Sequence, residues 1–388
     1  MVILLSQADI YGTLLWFVIL FVFIAIYPRL MLSQMIFKLE QSARKLEELS
    51  DKANNVVAKK TKNNTKETKE KIKEFTDFFV VEPSSLDPYG IVQKLDQTIR
   101  HMEDRFEEAA KDIGHSLGEL EKRQVDYGLR AAVSLRQIAK IVRHNVELAK
   151  KFKNLQIAMI IQMQMPMIEK IAESELKGTE AFTNGWPVGD GIGPIVAASL
   201  MDSSKPISED VVAGKTTIEG RTCFVLKATG PKPSLGRIDE AIEKIMKKNK
   251  IARFVTIDAI SKFEGEKSGS VAEGVGFAMG GIGQREIIEN VLLPKKKPID
   301  SIGIKVGMVE AILPMKKEIY DAVPKVQTAV QRSVRRVKRN EKVLIIGVGN
   351  SCGVGDNKKV LEKTKEMVLK LDKKYKEEQK KQKKGSWV

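Results

Sequence analysis

The chain has 388 residues, 43% of them apolar and 30% charged, with a formal net charge of +16. That length and balance fit two or three folded domains with a sizeable core and exclude a disordered chain. The positive excess suits a polyanionic setting such as a membrane surface, and two isolated cysteines, Cys223 and Cys352, exclude a disulfide framework or a metal cluster built on thiolates.

Ile10–Tyr27 (IYGTLLWFVILFVFIAIY) carries no charge over eighteen residues and is closed by Pro28 and Arg29. At about 1.5 Å per residue this nearly spans a hydrocarbon core of about 30 Å, and Tyr11, Trp16 and Tyr27 suit the interfaces. No Lys or Arg precedes the stretch, Asp9 does, and no small-residue cleavage site follows. A retained anchor is therefore expected, not a signal peptide. Arg29, Lys38, Arg44, Lys45 and Lys52 follow it, which predicts a single-pass cell-membrane protein, N-terminus outside and body in the cytoplasm, with residues 10–29 as the transmembrane helix and membrane lipid as a partner.

Residues 30–78 read as a coiled coil and charged linker. Leu39, Ser42, Leu46, Leu49, Ala53 and Val56 make a seam of roughly three heptads, through which a homo-oligomer could form, and Lys59–Glu74 is almost wholly polar. Residues 79–177 read as a helical domain, with Leu95, Ile99, Met102 and Phe106 on one face and Leu129, Val133, Leu135, Ile138 and Ile141 on another. Leu155–Met167 (LQIAMIIQMQMPM) is too short to span a bilayer and contains glutamines, so a buried core helix is expected, its methionines filling gaps. All three histidines, His101, His115 and His144, fall in this region.

From 178 to 357 the texture is α/β. Apolar, β-branched runs at 222–229, 253–260, 301–308 and 342–349 alternate with helical patterns at 235–248, 284–293 and 315–339. This predicts a mostly parallel sheet covered on both faces, with ligands at the carboxyl ends of its strands. Residues 358–388 form a basic helical tail, with twelve lysines against five acids from Lys358 onward. Almost no aromatics are interleaved there to stack bases, so nucleic-acid binding is not expected.

Within the α/β region, Asn184–Leu200 (NGWPVGDGIGPIVAASL) places Asp190 among glycines just before a helix start, and Asp258 ends the apolar strand RFVTID. Each has an ordinary reading, Asp190 as a helix cap and Asp258 as a turn residue. Together they form a carboxylate pair at one sheet edge, able to share a proton or hold a water. The helix dipole is expected to keep Asp190 ionised, leaving Asp258 as the proton carrier. A divalent metal on this pair is conceivable chemically, but no sequence feature supports one and no cofactor is expected. The Gly-rich stretch 265–283 could gate a substrate. Lys267, Ser268 and Gly269 from it, with Gly189, Gly191 and Asn350, are the candidate substrate or oxyanion binders.

The motifs NGWPVGDGIGP, RFVTIDAI, EGEKSGSVAEGVG and SIGIKVGMVEAI, over roughly residues 180–312, resemble the spore germination protease family. That family shares an α/β, phosphorylase/hydrolase-like fold with the hydrogenase maturation proteases. The resemblance implies a peptidase with Asp190 and Asp258 as its acids. The hydrogenase branch adds a histidine metal ligand that this region lacks, and Glu310 stands where the family has an aspartate. KVLIIGVGNSCGVGD (342–356) is similar to the opening strand and Gly-Asn turn of the same superfamily. A circular rearrangement is therefore expected, in which the last strand fills that slot and brings Asn350 beside Asp190. The whole chain also resembles an archaeal membrane-anchored family of unknown function. The expected function is a membrane-tethered cytoplasmic hydrolase acting on a protein or peptide. The alternative is a non-enzymatic membrane-anchored scaffold or binding module on the same fold.

Overall fold

The computed structural model describes residues 7–61, 65–77, 91–276 and 297–385. These fall into two compact units, one of residues 1–51 and 135–173, the other of 52–134 and 174–388.

The first unit is helical. Its α1 (Gln7–Lys60) is one unbroken helix of 54 residues, and its N-terminal part is the one helix among the described residues long and apolar enough to cross a membrane, with a mean hydropathy of 2.3 and no residue of that stretch buried. Beyond it, Leu39, Leu46 and Leu49 of the expected seam are buried within the chain, while Ala43 takes the buried place expected of Ser42, which is half-buried. α4 (Glu119–Phe152) and α5 (Leu155–Asn184) bring their shares of this unit to α1 through ion pairs. Arg143 reaches Glu40 and Glu47 at 2.7 and 2.8 Å, and Lys45 reaches Glu169 and Glu173 at 2.8 and 2.9 Å. Burial pushes the Arg143 guanidinium the other way, but these carboxylates hold its pKa above the ordinary value, the Glu47 hydrogen bond most of all. The expectation for Leu155–Met167 is corrected. Ala158, Ile161 and Met165 are buried, but Met159, Ile160, Met163 and Met167 are exposed, because only one side of α5 meets other helices.

The second unit contains α2 (Lys66–Thr76), α3 (Ile91–Ile113), parts of α4 and α5, and the α/β domain. α6 (Ile192–Ser199), α7 (Ile238–Lys248), α8 (Lys317–Tyr320), α9 (Val323–Arg335) and α10 (Lys358–Gly385) accompany a seven-stranded sheet. Its strands are β1 (Lys205–Ser208), β2 (Val211–Ile218), β3 (Arg221–Ala228), β4 (Ile251–Ser261), β5 (Val271–Val275), β6 (Ile299–Val306) and β7 (Lys342–Gly347), in the order β1-β2-β3-β7-β4-β6-β5. The four central strands β3, β7, β4 and β6 are parallel. β1, β2 and β5 add antiparallel edges, so the sheet is mixed around a parallel centre. The four expected strands are the central four. Part of the expected gating loop is instead β5, and residues 277–283 of it, with the helix expected at 284–293, lie outside the described residues.

Alternation along the central strands divides the core. Val225, Val255, Ile257, Ile302, Val343 and Ile345 pack under α6 and α9, while Leu226, Phe254, Leu344 and Ile346 pack under α7. β7 lies in the same sheet as β4 and against α6, as expected, and it is inserted between β3 and β4. Gly193 makes this approach possible: a Cβ there would meet the Ile257 carbonyl at 2.5 Å and collide with that of Val348, so helix and strand ends touch backbone to backbone.

Candidate functional site

The glycine-rich segments converge at the carboxyl ends of β3, β7 and β4. After α5, Gly185 reverses the chain at φ +67°. The segment then runs along the 311–315 turn: Gly189 N–H donates to Leu313 O at 3.0 Å, Asp190 N–H to Ala311 O at 2.8 Å, and Met315 N–H to Pro187 O at 2.8 Å. Residues 189–191 make one tight turn that packs against β4 and leads into α6. Neither this turn nor α6 has a side-chain cap, so the capping role weighed for Asp190 is not the one it fills. Its Oδ2 instead accepts the backbone N–H of Asn350 at 2.8 Å.

β7 reaches that acceptor through Gly349. Val348 N–H donates to Ile257 O at 2.8 Å, the last bond of the β4–β7 ladder. Gly349 then turns at φ +124°, where a Cβ would collide with the Asp190 carbonyl and lie 3.2 Å from Asp190 Oδ2. A side chain at Gly349 is excluded on both counts. The Asn350 side chain closes the next turn, its Oδ1 accepting Cys352 N–H at 2.9 Å. Asn350 therefore does lie beside Asp190.

Asp258 follows Ile257 on β4 and is 2% exposed. The strand's alternation places it on the Phe254 face, opposite the α6 face from which Asp190 enters. Asp190 contacts Gly349, and Asp258 follows the residue whose carbonyl takes the Val348 N–H, so the two acids flank the end of β7 from opposite faces of the sheet instead of facing each other as expected. Burial pushes the Asp190 carboxyl above the usual carboxylate range, and the Asn350 N–H only partly opposes it. Desolvation thus works against the helix dipole that was expected to favour the ionised form.

Two charged groups near this edge were not singled out in the sequence. Lys227, at the end of β3, is fully buried, and its Nζ donates to Asp356 Oδ1 and to Ala228 O, both at 2.6 Å. Gly230 N–H shares the same Asp356 oxygen at 2.8 Å, and Ser351 Oγ donates to Ala228 O at 2.6 Å. Burial lowers the Lys227 pKa, and the Asp356 carboxylate opposes that shift. The only sequence signal was a lone lysine in the apolar strand CFVLKA.

Of Lys267, Ser268 and Gly269, Ser268 lies elsewhere, against Glu310. Ser268 Oγ donates to Glu310 Oε2 at 2.7 Å, Gly307 N–H to the same oxygen at 2.8 Å, and Lys316 Nζ to Oε1 at 2.6 Å. Burial raises the Glu310 pKa, but these donors outweigh it and hold the carboxyl near 2. Gly269 turns at φ +80° against the Glu318 backbone and donates its N–H to Lys305 O at 2.9 Å. Ser268 is thus engaged by Glu310, while Gly189 and Gly191 belong to the Asp190 turn. Among the described residues no group of three or more His, Cys, Asp or Glu side chains is placed to hold a metal ion.

The fold and this site define an α/β protein with a candidate membrane helix, its carboxyl-edge loops closed on a buried acid. The chain belongs to the DUF1512 family: its N-terminal part matches "Protein of unknown function (DUF1512) N-terminal domain" over residues 13–185, and its C-terminal part "Domain of unknown function (DUF1512) C-terminal" over residues 188–355. The junction falls between the end of α5 and the Asp190 turn. No curated protein and no solved structure matches the chain. Of the whole-chain resemblance, these matches show membership of a family of unknown function; the protease likeness rests on the quoted motifs alone.

Proposed function

We propose that this chain is a membrane-tethered hydrolase of the peptidase class, α1 crossing the membrane with its N-terminus outside and the α/β domain working in the cytoplasm. One observation carries the reading: Asp190 and Asp258 flank the end of β7 from opposite faces of the sheet. Asp190, desolvated and raised in pKa, holds a proton, and Asp258 takes the proton of a water poised for attack on a peptide carbonyl. Asp190 then protonates the leaving amine. Roles for two acids with unlike environments follow the general pattern of paired carboxylates. The test is cleavage of a peptide library by the purified full chain in vesicles, read by mass spectrometry. The expected result is cleavage that Asp190→Asn and Asp258→Asn each reduce at least about 100-fold. Cleavage by both variants at the wild-type rate, or none by the wild type, overturns the reading.

A second reading, a non-enzymatic binding module or scaffold, is favoured by the glycine packing. A Cβ at Gly189 would collide with the Glu310 carbonyl, and one at Gly191 would lie 3.0 Å from the Asn350 carbonyl. These glycines serve loop-to-loop contact instead of substrate access. Under this reading Asp190→Asn folds as well as the wild type and changes no turnover.

A further inference from the structure

The exposed side of α5 carries a run of uncovered apolar side chains outside the candidate span. Met159, Ile160, Met163 and Met167 are 46, 53, 76 and 59% exposed, and Phe152, at the end of α4, is 61% exposed. The spacing of the α5 residues places them on one strip of the helix. A soluble core does not leave four such residues in one strip, so the strip meets something other than water.

Its position within the first unit says what. Lys45 of α1 pairs with Glu169 and Glu173 of α5, and Lys38, Leu39 and Ser42 share a cavity of about 310 Å³ with Gln162, Met165 and Glu169. Rising numbers match rising numbers, so α5 runs parallel to α1. α4 runs antiparallel, since Arg143 pairs with Glu47 at 2.8 Å and Lys150 with Glu40 at 2.5 Å. Followed back toward the span, both helices bring the α4–α5 turn, Phe152 to Leu155, level with the α1 segment between Arg29 and Phe37. Exposed apolar residues continue on α1 itself there, Leu30 at 58% and Phe37 at 64%. The hairpin therefore ends where the bilayer surface lies if α1 spans, and its apolar strip begins at that end.

The charges agree. Lys151 and Lys153 flank Phe152 and are exposed, with Lys151 Nζ 5.6 Å from the Phe152 ring centroid. Lysines beside an apolar strip are the composition of an interfacial helix on anionic lipid. We propose that the α4–α5 hairpin is a second membrane contact, in which Phe152, Met159, Ile160 and Met163 insert into the interfacial layer of an anionic bilayer while Lys151 and Lys153 meet its headgroups. This rests on α1 being the membrane tether, and it gives the first unit a second point of attachment to the surface, toward which the α5 strip leans.

The test uses the full chain in vesicles of phosphatidylcholine and phosphatidylglycerol. A single environment-sensitive fluorophore is placed at Met163→Cys, at Phe23→Cys in the span, and at Ile141→Cys on the exposed part of α4 farther from the turn. The native Cys223 and Cys352 are both buried and stay unlabelled. Nitroxide-bearing lipid is expected to quench the label at Met163→Cys and Phe23→Cys several-fold more than at Ile141→Cys, with aqueous iodide giving the reverse order. Adding Lys151→Glu and Lys153→Glu is expected to lower the Met163→Cys quench in these vesicles. Quenching at Met163→Cys by iodide alone, or by neither agent as beneath a second copy of the chain, overturns the hairpin contact while quenching at Phe23→Cys leaves the tether standing. Absence of lipid quenching at Phe23→Cys overturns the tether and the hairpin contact together.

Discussion

Asp190 accepts the Asn350 N–H at 2.8 Å across 160 residues of chain. The bond joins the turn that enters α6 to the loop that leaves β7, and it explains why an acid stands on so tight a turn. A helix cap would bind an N–H two or three positions ahead; this carboxyl instead closes the carboxyl edge of the sheet. Whatever the domain does there, it does with these two loops held together.

The first prediction follows from that bond and its burial. The Asp190 pKa is raised in the folded chain, so the native state binds more protons than the unfolded state between the ordinary value, 3.8, and the raised one. Stability from this group is full below 3.8 and is lost as pH rises through the folded pKa. Asp190→Asn keeps an oxygen for the Asn350 N–H and removes the titrating group. It is expected to match or exceed wild-type stability at pH 7 and to flatten that decline. Asp190→Ala leaves the N–H unmet and is expected to lose about 1–3 kcal/mol. Urea unfolding from pH 4 to 8 distinguishes them, and an Asn variant less stable than the Ala variant contradicts this account.

Glu310 gives the opposite pH dependence. Its carboxyl is held near 2, against an ordinary 4.5, because Lys316, Ser268 and Gly307 together outweigh the effect of burial. Its contribution is fully present above pH 4.5 and is lost as pH falls toward 2. Glu310→Gln is expected to lower stability at pH 7 by up to about 3 kcal/mol and to remove most of the difference from wild type near pH 2. A constant difference from pH 7 down to pH 2 would show that these donors do not depend on the charge.

Much of the central fold was legible because β3, β4, β6 and β7 are buried on both faces and read as largely apolar, β-branched runs. β2 was missed because its second half, GKTTI, is polar and partly exposed, although Glu219–Gly220, both at positive φ, form the two-residue turn that marks a hairpin. β5 hid in a glycine-rich stretch whose composition reads as loop. The strip on α5 was misread because methionine spacing shows that a helix has an apolar face, not what covers it. Asp190 and Asn350 could be paired only through the likeness to a rearranged fold, since no local spacing links residues so far apart. Lys227 gave no such clue: a lysine in a strand is ordinarily at an edge or snorkelling to water, and its burial depends on Asp356 arriving from the far end of the domain.

That ion pair yields an asymmetric prediction. Lys227 is fully buried, while the Asp356 side chain is 21% exposed and still accepts the Gly230 N–H. Removing the lysine as Lys227→Met leaves an acid that water and a backbone donor can satisfy, and fills the space with apolar atoms, so a loss within about 1–2 kcal/mol is expected. Removing the charge as Asp356→Asn leaves a buried ammonium with only neutral acceptors, the Ala228 carbonyl and the amide oxygen, and a loss of about 3–5 kcal/mol is expected. The pH dependence separates the two further. Burial already depresses the Lys227 pKa, and without Asp356 it falls further. The unfolded chain then binds more protons than the native one below the ordinary lysine value of 10.5, so the stability of Asp356→Asn climbs as pH is raised toward that value. Denaturation of both variants at pH 7 and pH 9.5 measures this. Equal losses at pH 7, or an Asp356→Asn deficit that does not shrink at pH 9.5, would mean that Lys227 reaches solvent when its partner is gone.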